Sequence, residues 1–76
     1  MGVSVARPFA RAAGIVEAFD DPRGLGTIRV DGGAALPFHC TAIADGTRTI
    51  PVGTRVAFAV VAGRVGQWEA ADIAPT

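Results

Sequence analysis

The sequence predicts an all-β domain of five short antiparallel strands curled into a small barrel. Two observations carry this. Glycine and proline punctuate the chain throughout, and the longest run free of both is nine residues, Thr54 to Ala62. Each Gly or Pro in a helix interior costs about 1 or 3 kcal/mol respectively, so a long helix does not fit. Between these breaks lie short apolar or β-branched segments, several of which alternate with period two, the signature of a half-buried strand. Five such strands in a chain of 76 residues can bury one apolar face only by curling, which also removes most exposed edges.

The strands follow in order. Ala13 to Phe19 is apolar, with β-branched Ile15 and Val16. Gly26 to Val30 puts Ile28 and Val30 on one face and Thr27 and Arg29 on the other. Ala35 to Cys40 separates Leu36, Phe38 and Cys40 from Pro37 and His39. Pro37 inside a strand requires an edge or a site where no ladder N–H is needed. Arg55 to Val61 alternates most cleanly, Val56, Phe58 and Val60 against Arg55, Ala57, Ala59 and Val61. Trp68 to Ala74 closes the chain, anchored by Ile73. Turns fall at Asp21-Pro22-Arg23-Gly24, Asp31-Gly32-Gly33, Asp45-Gly46, Pro51-Val52-Gly53 and Gly63 to Gly66. Asp-Gly and Gly-Gly supply the positive φ that tight turns need. Thr41 to Ala44 is too short for a stable helix, and a single 3₁₀ turn is expected there. Residues 1–12 read as a loose extension, and residues 13–76 as the barrel.

Composition narrows the function. Half of the residues are hydrophobic and 18% are charged, a folded rather than a disordered composition. Seven Arg balance seven Asp and Glu, and there is no Lys. A whole-chain field that would steer polyanions is therefore absent, and any basic patch must be local. One cysteine, Cys40, excludes an internal disulfide framework and fits a reducing compartment. The N-terminal residues carry no sustained apolar run, so a signal peptide is not expected, and no stretch is long enough to span a membrane. A cytoplasmic location without membrane contact is expected.

Strand count and periodicity fit both a five-stranded OB-type barrel and an SH3-like barrel. Four ordered motifs separate them. Gly14 to Ile28 reads G-I-V-E-A-F-D-D-P-R-G-L-G-T-I, and Leu36 to Ile43 reads L-P-F-H-C-T-A-I. Asp45 to Phe58 reads D-G-T-R-T-I-P-V-G-T-R-V-A-F, and Glu69 to Ile73 reads E-A-A-D-I. In order and spacing they resemble the cold-shock domain, over Gly14 to Ala74. The resemblance implies an OB-fold barrel that binds single-stranded RNA or DNA by stacking bases on aromatic side chains.

The departures from the family pattern are as ordered as the matches. Glu17, Ala18 and Asp20 stand where that family carries Lys, Trp and Asn. Leu25, Thr27, Pro37, Cys40 and Thr47 stand where it carries aromatics, while His39 and the basic residue at Arg23 are kept. One base stacked on an aromatic contributes about 1–3 kcal/mol, so several lost platforms weaken binding by several kcal/mol. Glu17 also sets negative charge where phosphate would pass. The candidate nucleic-acid-binding residues are Phe19 and His39, as stacking surfaces, and Arg23, Arg29 and Arg48, as phosphate contacts. Arg55 is a further basic residue of this kind. Each has a plainer reading. Phe19 fits a partly buried core position, His39 a solvated strand histidine, and the arginines a role in solubility. Trp68 is either a lid on the open end of the barrel or a new contact residue.

Catalysis has no support in the sequence. His39 and Cys40 are the only His and Cys. If both lie on one strand they point to opposite faces, and cannot act together as base and nucleophile or as ligands of one metal. No cofactor is called for. With these departures, weak, sequence-tolerant binding of single-stranded RNA or DNA is expected, and the resemblance implies a role in RNA chaperoning or gene regulation. The alternative is a degenerate paralogue whose aliphatic face meets a protein partner or a second copy in a homodimer.

Overall fold

The computed structural model describes residues 10–63 and 66–76. Among the described residues lie the strands β1 (Ala10–Asp20), β2 (Leu25–Val30), β3 (Ala35–His39), β4 (Arg55–Ala62) and β5 (Trp68–Pro75), with a 3₁₀ turn, Cys40–Ala42, after β3. All ladder pairings are antiparallel, and the strands lie in one sheet in the order β3-β2-β1-β4-β5. This is the five-stranded all-β architecture expected from the sequence, consistent with an OB-fold. Among the described residues, no helix is long and apolar enough to cross a membrane.

β1 organises the sheet. Its first half pairs with β4, from Ala10 opposite Val60 to Ile15 opposite Arg55. Its second half pairs with β2, from Gly14 opposite Val30 to Asp20 opposite Leu25. Gly14 and Ile15 thus pair on both sides. A side chain at Gly14 would collide with the Arg29 carbonyl and the Ile28 side chain, so glycine is required where the strand bends between its two partners. Three residues later the register shifts between Val16 and Ala18. Glu17 is the extra residue of this β-bulge, which twists the strand further.

β1 begins at Ala10, three residues before the expected start. Arg11, Ala12 and Ala13 pair with Ala59, Phe58 and Ala57, a ladder of mostly small side chains with no periodicity to betray it. The rest of the expected extension, residues 1–9, lies outside the described residues. So do residues 64 and 65 of the last expected turn. The third strand stops at His39, and Cys40 opens the 3₁₀ turn expected slightly later.

The curl of the sheet encloses one core. Val16, Ile28, Phe38, Val56, Phe58 and Ile73 are almost wholly buried, with Ile43, Ile50 and Ala70 beside them. Burying one such large side chain stabilises the fold by roughly 1.5–3 kcal/mol. The sheet does not close completely. β3 lies against β5, but no ladder joins them, and β3 is a five-residue edge strand. Pro37, which has no N–H to offer across the gap, sits on that edge as expected. The nearest link is a parallel bridge between Ile43 and Ile73, where the Ala44 N–H donates to the Ile73 carbonyl at 2.8 Å.

Candidate nucleic-acid interface

Directly paired residues on neighbouring strands point to the same face, so the register of β1, β2 and β3 defines rows. Val16–Ile28–Leu36 and Phe19–Gly26–Phe38 point inward. Ile15–Arg29–Ala35, Ala18–Thr27–Pro37 and Asp20–Leu25–His39 point outward. Four of the positions at which the sequence departs from the aromatic pattern, Ala18, Leu25, Thr27 and Pro37, therefore share one face, while Cys40 lies in the 3₁₀ turn and Thr47 in the loop after Asp45. Over Ala18, Leu25 and Thr27 lies a shallow hollow of about 310 Å³, where small and aliphatic side chains leave space.

Phe19 lies on the inward side. Its ring stacks on Phe38 with centroids 5.9 Å apart and planes 14° from parallel. Gly26, between them in register, makes this possible, because a Cβ there would enter the Phe38 ring. Phe19 is half-buried: it packs against the core and also lines the hollow over Ala18, Leu25 and Thr27. Its ring has one face committed to Phe38.

His39 is exposed on the outward face beside Leu25. Its Nδ1 accepts from the Thr41 backbone N–H at 3.3 Å and lies 3.0 Å from Thr41 Oγ1. The imidazole thus caps the 3₁₀ turn. With Nδ1 accepting, the neutral ring carries its proton on Nε2, which remains a donor. Cys40 corrects one expectation. Because the strand ends at His39, the Cys40 Sγ does not point away but lies 3.9 Å from His39 Nδ1. Gly24 is required beside it: its φ is +67°, and a Cβ would press on Cys40 Sγ at 2.8 Å. Among the described residues, no three His, Cys, Asp or Glu gather as metal ligands would.

The arginines divide sharply. Arg29 donates to both carboxylate oxygens of Glu17, at 2.9 Å and 3.3 Å. Arg23, in the β1–β2 turn, pairs with Asp20 at 3.6 Å. Arg55 donates to both oxygens of Asp31, at 3.1 Å and 2.7 Å, and Arg11 pairs with Asp72 at 3.3 Å. The hydrogen bonds from Arg55 hold the Asp31 carboxyl below its ordinary pKa, and the same pair raises that of Arg55. Arg48 is the described arginine without an ion pair. It is exposed, at a φ of 68°, in the loop after Asp45. That loop is tied by Thr47, whose N–H donates to Asp45 Oδ1 and whose hydroxyl donates to the Thr49 carbonyl, both at 3.0 Å. Of the five predicted residues, the structure brings Arg29 and His39 onto the outward face. Arg23 stands at its rim, Arg48 is on a separate loop, and Phe19 is turned inward.

Two larger hollows flank the face. One, of about 550 Å³, is lined by Ile15, Glu17, Arg29, Val30, Asp31, Gly32 and Gly33; its charged walls already pair with each other or with Arg55. The other, of about 400 Å³, runs along the unclosed side of the sheet and is lined by Leu25, Pro37, Phe38, His39 and Glu69. Sequence reasoning did not single out Glu69, because only the curl of the sheet brings β5 to β3. Leu25 is 47% exposed, whereas Val61, which alternation places on the same side of β4 as Arg55, is half-buried. Trp68, at the start of β5 opposite Ala62, is 46% exposed.

A search of curated proteins gave no match. The 'Cold-shock' DNA-binding domain matches residues 12–76, a family of nucleic-acid-binding domains rather than of enzymes. That span contains the whole outward face, the bulge at Glu17 and the β3–β5 cleft; the chain belongs to the cold-shock DNA-binding domain family.

Proposed function

We propose that the chain binds single-stranded RNA or DNA, weakly and with little overall sequence preference, as an RNA chaperone or a regulator of gene expression in the cytoplasm. The observation that supports this best is the outward row Asp20–Leu25–His39 beside the β3–β5 cleft. It offers an exposed imidazole face and an apolar surface against which a base can lie. Ala18, Thr27 and Pro37 complete a surface of small side chains that admits a strand without gripping it. Each aromatic platform that is missing removes about 1–3 kcal/mol of stacking. The internal pairing of Arg23 and Arg29 reduces the attraction for phosphate further, since a pair must open before either arginine meets the backbone. Arg48 is the described arginine able to meet phosphate without that cost. Titrating fluorescent oligo-dT and oligo-U at low salt tests the reading. Saturable binding at micromolar protein, weakening as salt rises, is expected; no binding at high micromolar protein overturns it.

A second reading has its own support. Leu25, Pro37 and Ile15 make the outward face partly apolar, and its charges are neutralised in pairs. Such a face suits a protein partner or a second copy of the chain. Light scattering after size exclusion discriminates. A homodimer that occludes Leu25 and His39 favours this reading, and a monomer counts against self-association.

A further inference from the structure

Glu69 is the residue of this region that no reading above uses. It sits on β5 opposite Val61, one residue beyond Trp68. Its side chain lies over Gly63, where a Cβ would overlap the Glu69 carboxyl group. The missing side chain at Gly63 thus leaves the space in which this carboxylate rests. It is half-buried and lines the cleft with Leu25, Pro37 and His39. The other carboxylates near the outward face, Glu17, Asp20 and Asp31, are each paired with an arginine. Glu69 has no such partner among the described residues. The cleft therefore combines apolar walls and an imidazole with a pair of acceptor oxygens that no described arginine engages. Its volume of about 400 Å³ lies within the range of small-ligand pockets, ~300–1,000 Å³.

We propose that this cleft is a base-selective subsite in which Glu69 favours guanine. The inference rests on the nucleic-acid reading above and adds a selectivity to it. The chemistry follows from donor and acceptor order. A carboxylate only accepts, and its two oxygens match two parallel donors. Guanine presents N1–H and N2–H side by side on its Watson–Crick edge. Uracil and thymine present one N–H between two carbonyl oxygens, which the carboxylate repels. Cytosine and adenine each offer an amino group next to a ring acceptor, which allows one hydrogen bond and opposes the second. Stacking against His39 and Leu25 is indifferent to base identity, so discrimination falls on Glu69. The order of preference is guanine first, cytosine and adenine next, and thymine or uracil last.

The test compares a seven-nucleotide oligo-dT with the same oligonucleotide carrying one central dG. Inosine, which keeps N1–H and lacks the 2-amino group, replaces that dG as a third probe. Binding is read by competition against a fluorescent oligo-dT, with the full chain and with the Glu69→Gln and Glu69→Ala variants. Neither substitution touches the core, and circular dichroism checks the fold. One bidentate base contact at a partly exposed site gives roughly five- to tenfold tighter binding of the dG probe. Inosine falls between dG and dT. In Glu69→Gln the preference drops below about twofold, because the amide N–H can now donate to the thymine carbonyls that the carboxylate repelled. Equal affinity of the full chain for the dT and dG probes overturns the inference and leaves the nucleic-acid reading standing. A guanine preference that survives both substitutions does the same. Failure to bind any probe overturns both.

Discussion

The bidentate pair between Arg29 and Glu17 makes the sharpest prediction. Glu17 occupies the β-bulge of β1, and Arg29 the neighbouring strand; their side chains are 35% and 57% exposed. An exposed pair of this kind contributes only about 0.2–1 kcal/mol to stability, so Glu17→Gln should leave the fold intact. Its effect on binding is larger. The substitution frees one guanidinium on the outward face and removes the carboxylate that opposes phosphate there. One additional phosphate contact to a single strand steepens the plot of log K against log salt by about 0.7. Carried from a reference of about 1 M salt down to about 50 mM, that slope amounts to ~0.9 log units, roughly an eightfold gain in affinity. Fluorescence anisotropy of labelled oligo-dT across a salt series reads both the slope and the gain. Arg29→Gln is the control: with Arg29 already engaged by Glu17, it should change the slope little in the otherwise unaltered chain. It should abolish the gain when combined with Glu17→Gln. If Glu17→Gln binds with unchanged slope and affinity, the idea that internal ion pairs hold the arginines back from phosphate is wrong.

Three further outcomes follow from the packing and the ion pairs. Phe58 is fully buried on β4, and Phe58→Ala should cost about 3–5 kcal/mol, read as a lower midpoint in urea denaturation. Gly26→Ala forces a methyl group toward the Phe38 ring and the Ala18 carbonyl; an overpacking cost of about 1–3 kcal/mol is expected, visible as a lower melting temperature together with loss of the Phe19–Phe38 ring-current shifts. Asp31 has a pKa lowered chiefly by its hydrogen bonds from Arg55. A group depressed in the folded state adds stability above its unfolded pKa, about 3.9 for Asp, and loses it as pH falls through the folded value. Asp31→Asn should therefore lower stability at neutral pH and flatten the acid limb of the stability profile below about pH 4 by the same amount, so that variant and parent converge in acid; an unaltered acid limb would contradict the pairing.

How much of this was legible in the sequence depended on the range of the interaction involved. Local signals were reliable. Alternation marked β2 to β5 to within a residue, and Pro37 announced its edge strand. The start of β1 was missed because the sequence Ala10-Arg11-Ala12-Ala13 carries no alternation of large apolar and polar residues; its strand character comes from pairing with β4. The face of Phe19 was undecided in the sequence because the bulge at Glu17 shifts the alternation by one residue, which no local pattern reveals. The His39–Cys40 geometry was misjudged by one strand residue, since the chain leaves the extended conformation at Cys40. The ion pairs were least legible of all. Arg29 and Glu17 are twelve residues apart and Arg55 and Asp31 twenty-four, and only the register of the sheet brings them together. The same holds for Glu69 and the β3–β5 cleft. Resemblance supplied the frame, while the chemistry remaining on the binding face had to be read from coordinates.

The central claim is that the outward face of β1 to β3, with most of its aromatic positions replaced, still receives a single strand. Chemical-shift mapping with a short single-stranded oligonucleotide at low salt tests it most directly. The account predicts shifts that saturate together at Leu25, Thr27 and His39, with smaller ones at Arg23 and Glu69 and none along the core-facing residues of β4. Shifts confined to the neighbourhood of Trp68, or no shifts at millimolar oligonucleotide, would contradict it.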